Sequence, residues 1–272
     1  MRWSERMLRR IARRVRTWRP TDLTGARQSI STLFAGRAGR RGAVSVLSLA
    51  VAAIVFGLQS AAQDRNAAGP RFVVVLDAAH GGDDGGALLS NSLTEKAYTL
   101  ALSVKLRSLL MARGIPVVTT RESDVTVNPD RRAEIANRAN AQACLSLHAS
   151  ESGSGVHLFV SSLAPAQGTR FMPWNTAQSA WVLRSLSLAG VVNSALSHAG
   201  MSVILGRTAL PVIDSMACPA VAIELAPERG AKAQEDAQGT DGLDDPGYQA
   251  RVAEALAAAL VEWRQEMGGG QP

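Results

Sequence analysis

Two histidines and two glutamates stand where short apolar runs end, and they are the residues of this chain best suited to chemistry. Phe72-Val-Val-Val-Leu-Asp77 leads into Ala78-Ala79-His80-Gly81-Gly82, and Glu95 opens a helix-like segment. Leu145-Ser146-Leu147-His148 closes a second run and Val221-Ala222-Ile223-Glu224 a third. Neutral imidazole and carboxylate are borderline donors that suit zinc. Three such groups could hold one ion and leave a fourth position for water, which is what hydrolysis requires.

Apolar runs interleaved with helical patterns predict parallel strands buried on both faces, and ligands collect at the carboxyl ends of such strands. Strands are expected near 72–77, 115–120, 143–148, 155–161, 201–205 and 219–225, with helices near 94–113, 129–140, 175–199 and 247–266. The pattern is that of a three-layer α/β/α domain with a mostly parallel central sheet of about six strands. It is preceded by a basic N-terminal tail and one apolar segment. The glycines after His80 let its loop approach a metal closely. Glu95 falls in a first helical turn, where the dipole favours a carboxylate. The loop from Gly81 to Gly86 resembles a phosphate cradle but lacks the Gly-Lys-Ser/Thr ending, which argues against nucleotide binding.

With 272 residues and 46% apolar content, the chain can fill one sizeable core. Its formal charge of +6 is unevenly placed: residues 1–42 hold twelve arginines against Glu5 and Asp22, a net of +10, which leaves −4 for the rest. A mildly acidic domain is not a nucleic-acid binder. The arginines lead into sixteen uncharged residues, Ala43 to Leu58, and then Gln59-Ser60-Ala61-Ala62-Gln63. A positive flank, an apolar stretch and a small-residue exit read as a secretory signal, with a retained membrane anchor as the alternative. Both topologies place the C-terminal domain outside the cytoplasm, in the periplasm or cell envelope. Arg40-Arg41 also permits the twin-arginine route. The expected organisation is a basic flexible tail (1–42), a signal or anchor through residues 43–62, a linker (63–70), a catalytic domain (71–266) and a disordered C-terminus (267–272). Cys144 and Cys218 each precede a core strand. They read as two small buried hydrophobes, or as one disulfide if the strands are neighbours.

Several ordered segments together resemble one family, the zinc-dependent N-acetylmuramoyl-L-alanine amidases that cleave bacterial peptidoglycan. Leu76-Asp77-Ala78-Ala79-His80-Gly81-Gly82 is similar to that family's Asp-Pro-Gly-His-Gly-Gly, and Leu93-Thr94-Glu95-Lys96 to its Glu-Lys element. Thr120-Arg121-Glu122-Ser123-Asp124 and Arg132-Ala133-Glu134-Ile135-Ala136-Asn137 match its Thr-Arg-x-x-Asp and Arg-x-x-Ile-Ala-Asn segments. Ser146-Leu147-His148-Ala149 resembles Ser-Ile-His-Ala, and Pro219-Ala220-Val221-Ala222-Ile223-Glu224 resembles Pro-Ala-Val-Leu-Val-Glu. The resemblance covers roughly residues 72–264. Ala78-Ala79 replaces the family's Pro-Gly, a change expected to stiffen or displace the loop, and Ser150 replaces an Asn.

The resemblance implies His80, Glu95 and His148 as ligands of one zinc ion per chain, and Glu224 as the catalytic base. It further implies peptidoglycan as the substrate and a monomeric catalytic domain. The rival readings are another zinc peptidoglycan peptidase, or a non-catalytic wall-binding or regulatory protein on the same fold. Asp77 is a candidate for orienting a ligand from behind. Arg121, Asp124, Arg132 and Asn137 read as fold-stabilising groups, and His157 and His198 as ordinary rim or surface residues. Pro165, Gly168 and Pro173 interrupt the connection from Ser161 to Asn175, so no covering helix is expected there.

Overall fold

Near-continuous burial along the central strands, on both faces of the sheet, organises the molecule. In the computed structural model, which describes residues 72–90, 92–166, 172–228 and 242–269, a six-stranded sheet carries helices on both faces. The elements are β1 (Val74–Ala78), α1 (Glu95–Ala112), β2 (Val117–Thr119), α2 (Pro129–Arg138), β3 (Ala143–Ala149) and β4 (Val156–Ser161). A 3-10 segment (Trp174–Ala180), α3 (Val182–His198), β5 (Val203–Thr208), α4 (Pro211–Asp214), β6 (Ala220–Leu225) and α5 (Pro246–Gly269) complete them. The expected tail, signal or anchor and linker over residues 1–70 lie outside the described residues. No helix among the described residues is long and apolar enough to cross a membrane.

The strand order is β2-β1-β3-β6-β4-β5. All pairs are parallel except β4 with β6, which is antiparallel. Leu76, Leu145, Leu158 and Ile223 face one side and pack under α1, α3 and α5 through Leu102, Leu106, Leu188, Val192, Leu256 and Leu260. Each fully buried Leu or Ile stabilises the fold by about 1.5–3 kcal/mol relative to exposure. Residues of the opposite parity, Val75, Cys144, Ala220 and Ala222, pack under α2 and α4 with Ala133, Ala136 and Ile213. The three-layer architecture is therefore as expected, with one deep layer and one thin one.

Three local features differ from the sequence expectation, and one open reading is decided. The helix expected over 175–199 is two pieces, because Thr176 leaves helical backbone geometry and Trp181 separates a 3-10 segment from α3. The short helix α4 has no amphipathic stretch long enough to be read from sequence. Helix α5 continues to Gly269, so 267–269 are helical rather than part of a disordered tail. Of the two readings of Cys144 and Cys218, the disulfide is the one formed. Strand β3 pairs with β6, with Cys144 opposite Ala220, so Cys218 just ahead of β6 comes within a Cα separation of 6.3 Å.

Candidate metal centre

Strand direction places the chemistry. The chain leaves β1 for β2 on one side and reaches β3 on the other, so the connections diverge between β1 and β3. A crevice opens at the carboxyl ends of strands at such a switch point. His80 follows β1 directly, His148 lies at the end of β3, and the first residue of α1, Glu95, reaches across from above.

These three expected ligands come together. One donor atom from each of His80, Glu95 and His148 lies within 4.8 Å of the others. His80 Nε2 is 3.0 Å from Glu95 Oε2 and His148 Nδ1 is 3.1 Å from Glu95 Oε1. The rings stand perpendicular, 5.8 Å between centroids.

The remaining ring nitrogens have their own partners. His80 Nδ1 donates to Asp84 Oδ2 at 2.8 Å. On the other ring, Ser146 Oγ lies 3.3 Å from His148 Nε2 and gives its single proton to Asp77 Oδ2 at 2.8 Å. The His148 proton must therefore sit on Nε2. Both outer contacts leave the inner nitrogens as lone pairs aimed at a carboxylate. Lone pairs facing a carboxylate repel unless a proton or a cation lies between them, so this donor set fits a metal ion. An outer carboxylate or hydroxyl that fixes the tautomer of a ligating histidine is the usual support of such a site.

Glu95 is only 6% exposed, and burial alone would raise its pKa. With a proton between His148 Nδ1 and Glu95, that bond, the Ala87 and Ala149 N–H groups and the nearby His80 outweigh burial and hold the Glu95 carboxyl below the ordinary value; an ion in the proton's place would act in the same direction. Asp84 is likewise held low, first by its bond to His80 and then by the Gly86 N–H.

The loop that presents His80 is tightly constrained. His80 itself has φ +61, an uncommon backbone for a non-glycine residue and one found at functional sites. A Cβ at Gly86 (φ +64) would lie 2.6 Å from Glu95 Oε2 and 2.7 Å from the His80 ring, so only glycine fits there. Arg121 donates to the carbonyls of Ala78, Ala79 and Lys96, and Arg132 to those of Ala78, His80 and Val127. Asp124 accepts from the Gly82 N–H and from Lys96. These groups are clamps, as the sequence suggested. The Ala79 N–H bonds the Leu147 carbonyl.

Asp77 stands behind the expected ligand His148 and reaches it through Ser146. It is 2% exposed and accepts from Thr120 and Arg132 on Oδ1 and from Ser146 on Oδ2. Asp84 and Ser146 are the supporting groups that the sequence reading missed. Spacing hints at Asp84, four residues after His80, and at Ser146, which shares a strand face with His148.

Glu224 lies directly opposite His148 in the β3–β6 register, on the same face of the sheet. It is half-buried. On its other side the β4–β6 register brings His157 opposite it, so the residue read as an ordinary rim histidine stands beside the residue expected to be the catalytic base. His198 instead bonds the Ser194 carbonyl on its own helix.

A cavity of about 170 Å³ adjoins the cluster, lined by Asp77, His80, Asp84, Arg132, Ser146 and His148 among others. A larger one of about 730 Å³ lies on the far side of α2. Size does not select the chemical site. The converging ligand atoms do.

Comparison with known proteins bears on what this arrangement serves. The sequence profile of a family described as N-acetylmuramoyl-L-alanine amidase matches residues 74–262. The chain is 41% identical over 81 residues to the N-acetylmuramoyl-L-alanine amidase AmiA of Escherichia coli, and 32% identical over 90 residues to the germination-specific N-acetylmuramoyl-L-alanine amidase of Bacillus subtilis. Those stretches are 30% and 28% of this chain and span only 28% and 38% of the two relatives. The catalytic domain of CwlV, an N-acetylmuramoyl-L-alanine amidase from Bacillus (Paenibacillus) polymyxa var. colistinus, superposes with a TM-score of 0.55 at 27% identity. That match covers 71% of this chain and 98% of that domain.

Proposed function

The chain belongs to the N-acetylmuramoyl-L-alanine amidase family, and on that premise we propose that it is an exported zinc hydrolase acting on peptidoglycan. The bond cleaved is the amide between the lactyl group of N-acetylmuramic acid and L-alanine. The observation that carries this reading is the convergence of His80, Glu95 and His148 with both outer ring nitrogens already engaged.

His80, Glu95 and His148 would hold the ion. Zinc bound there supplies Lewis acidity toward the scissile carbonyl and acidifies a water. Glu224, opposite His148 on the same sheet face, takes the proton of the attacking water and returns it to the leaving L-alanine nitrogen. Asp84 and Ser146 keep the two imidazoles in the ligating tautomer. Arg121 and Arg132 keep the His80 loop from shifting as substrate enters.

The Cys144–Cys218 disulfide supports export, since such bonds persist in oxidising compartments. The arginine-rich segment and the apolar run from Ala43 supply the sequence for it. Cleavage of that run versus its retention as an inner-membrane anchor is tested by the mass of the mature protein. The connection between β4 and α3 offers no acidic fourth ligand, because no carboxylate lies between Glu151 and Asp214. We infer from this a site that is open without an activator.

The experiment is digestion of purified sacculi by the full-length chain with zinc and no added protein. Released stem peptides should begin with a free L-alanine amino group, and a chelator should stop their release. Products that keep alanine on the sugar would identify a stem peptidase instead. Inactivity relieved only by an added activator would refute the open site.

A further inference from the structure

Helix α2 has two working faces. Pro129 and Arg132 line the cavity at the metal cluster, whereas Asn128, Asp130, Arg131, Glu134 and Arg138 line the larger cavity of about 730 Å³ together with Trp174. Ten residues of helix give that second groove a length of about 15 Å, and Asn128 at its start neighbours Val127 and Pro129 of the other cavity.

Trp174 is 61% exposed and lines the larger cavity with its side chain's apolar surface open to a ligand. Past the break at Thr176, the 3-10 segment that Trp174 opens is anchored by Gln178, whose amide donates to the carbonyls of Ile213, Met216 and Cys218. The facing wall is anchored to the same connector: Asn137 of α2 donates to the Ser215 carbonyl and accepts from the Ala217 N–H. Cys218 in turn is bonded to Cys144 at the base of the strand that carries His148. Both walls are therefore tied to one stapled segment, and the groove is formed before any ligand arrives. Preformed walls lower the ordering penalty of binding.

The charges of the groove cancel. Arg131 and Arg138 both pair with Glu134, and Asp130 supplies the second negative charge. An anionic peptide or a nucleic acid finds no net attraction there. A neutral ligand with one apolar flat face and many hydroxyl and acetamido groups fits: an indole platform for the C–H face of a pyranose, and carboxylate, amide and guanidinium groups around its rim.

We propose that this groove is a subsite for the glycan strand of the wall, binding N-acetylhexosamine units beyond the sugar whose amide is cut. The assignment rests on the peptidoglycan reading for its ligand but not on hydrolysis. It gives the protein a hold on the polymer that is independent of the metal.

The test is calorimetric titration of the full-length protein with the neutral tetramer of β-1,4-linked N-acetylglucosamine. Binding should persist in the presence of a chelator, weaken about tenfold in Trp174→Ala and be kept in Trp174→Phe, which retains an aromatic face. Melting temperature checks that each variant is folded. Binding unchanged in folded Trp174→Ala, or abolished by the chelator, overturns the proposal. So would a stem peptide without sugar binding in a Trp174-dependent manner while the tetramer does not. Loss of amidase activity on sacculi with tetramer binding intact would refute the hydrolase reading and leave the subsite standing.

Discussion

The hydrogen-bond chain Asp77–Ser146–His148 has a direction, and reversing it should disable the metal site without changing the volume of any side chain. In the native chain, Ser146 gives its proton to Asp77 Oδ2, so His148 must carry its proton on Nε2 and keep Nδ1 free. In Asp77→Asn, the amide carbonyl must take the Oδ1 position, where Thr120 and Arg132 both donate. The NH2 then faces Ser146 and donates to it. Ser146 in turn donates to Nε2, which moves the imidazole proton to Nδ1, against Glu95. Loss of an outer partner costs about 10–100-fold in metal affinity. Reversal adds a proton where a lone pair is needed, so Asp77→Asn should lie at the upper end of that range. Ser146→Ala removes a long 3.3 Å contact and reverses nothing, so it should lie near the lower end, about tenfold. Breaking one side of a buried ion pair costs about 3–5 kcal/mol. Arg132 keeps the carbonyls of Ala78, His80 and Val127, so the lower figure applies and most of the protein stays folded. Zinc affinity measured against a competing chelator decides the ranking, with nitrogen NMR of His148 reporting the tautomer. Wild-type affinity in Asp77→Asn, or a larger loss in Ser146→Ala than in Asp77→Asn, would refute the directed chain.

Alanine at His80, Glu95 or His148 should each abolish both zinc retention and hydrolysis; full zinc occupancy in any one of them removes that residue from the ligand set. Glu224→Gln should keep the metal and lower the rate by about 10²–10⁴-fold, and near-normal turnover would show that another group takes the proton. The disulfide closes a separation of 74 residues, for which chain entropy gives about 4 kcal/mol; Cys144→Ser with Cys218→Ser should lower the denaturant midpoint accordingly, and an unchanged midpoint contradicts the stapling role. Asp245 accepts from the Gly247 and Tyr248 N–H groups at the start of α5, which hold its carboxyl below the ordinary value. Its folded pKa lies below the unfolded one, so its stabilisation is present above about pH 4 and is lost as pH falls through the folded value. Asp245→Ala should melt earlier than wild type at neutral pH, and the gap should close in acid. A gap that is constant with pH would mean the cap is not electrostatic.

Much of this protein is local in origin and was therefore legible in the chain. Val74 to Ala78, Ala143 to Ala149 and Ala220 to Leu225 read as interior strands from their apolar runs, and side-chain parity puts Ser146 and His148 on one face of their strand. A glycine-rich exit after His80 and a carboxylate opening a helix at Glu95 are likewise written in neighbouring residues. What the sequence could not supply is which strands lie side by side, because that is settled by packing between residues far apart along the chain. Strand order makes Cys144 and Cys218 a bonded pair across 74 residues and sets His157 opposite Glu224 through the antiparallel β4–β6 register. It also carries the proton path, since Asp77 meets Ser146 only because β1 and β3 are neighbours. Trp174 reads in the sequence as one aromatic in a loop. Only the anchoring of two distant walls to residues 213–218 turns it into the side of a groove, because a groove exists only where separate elements are held apart at a fixed distance.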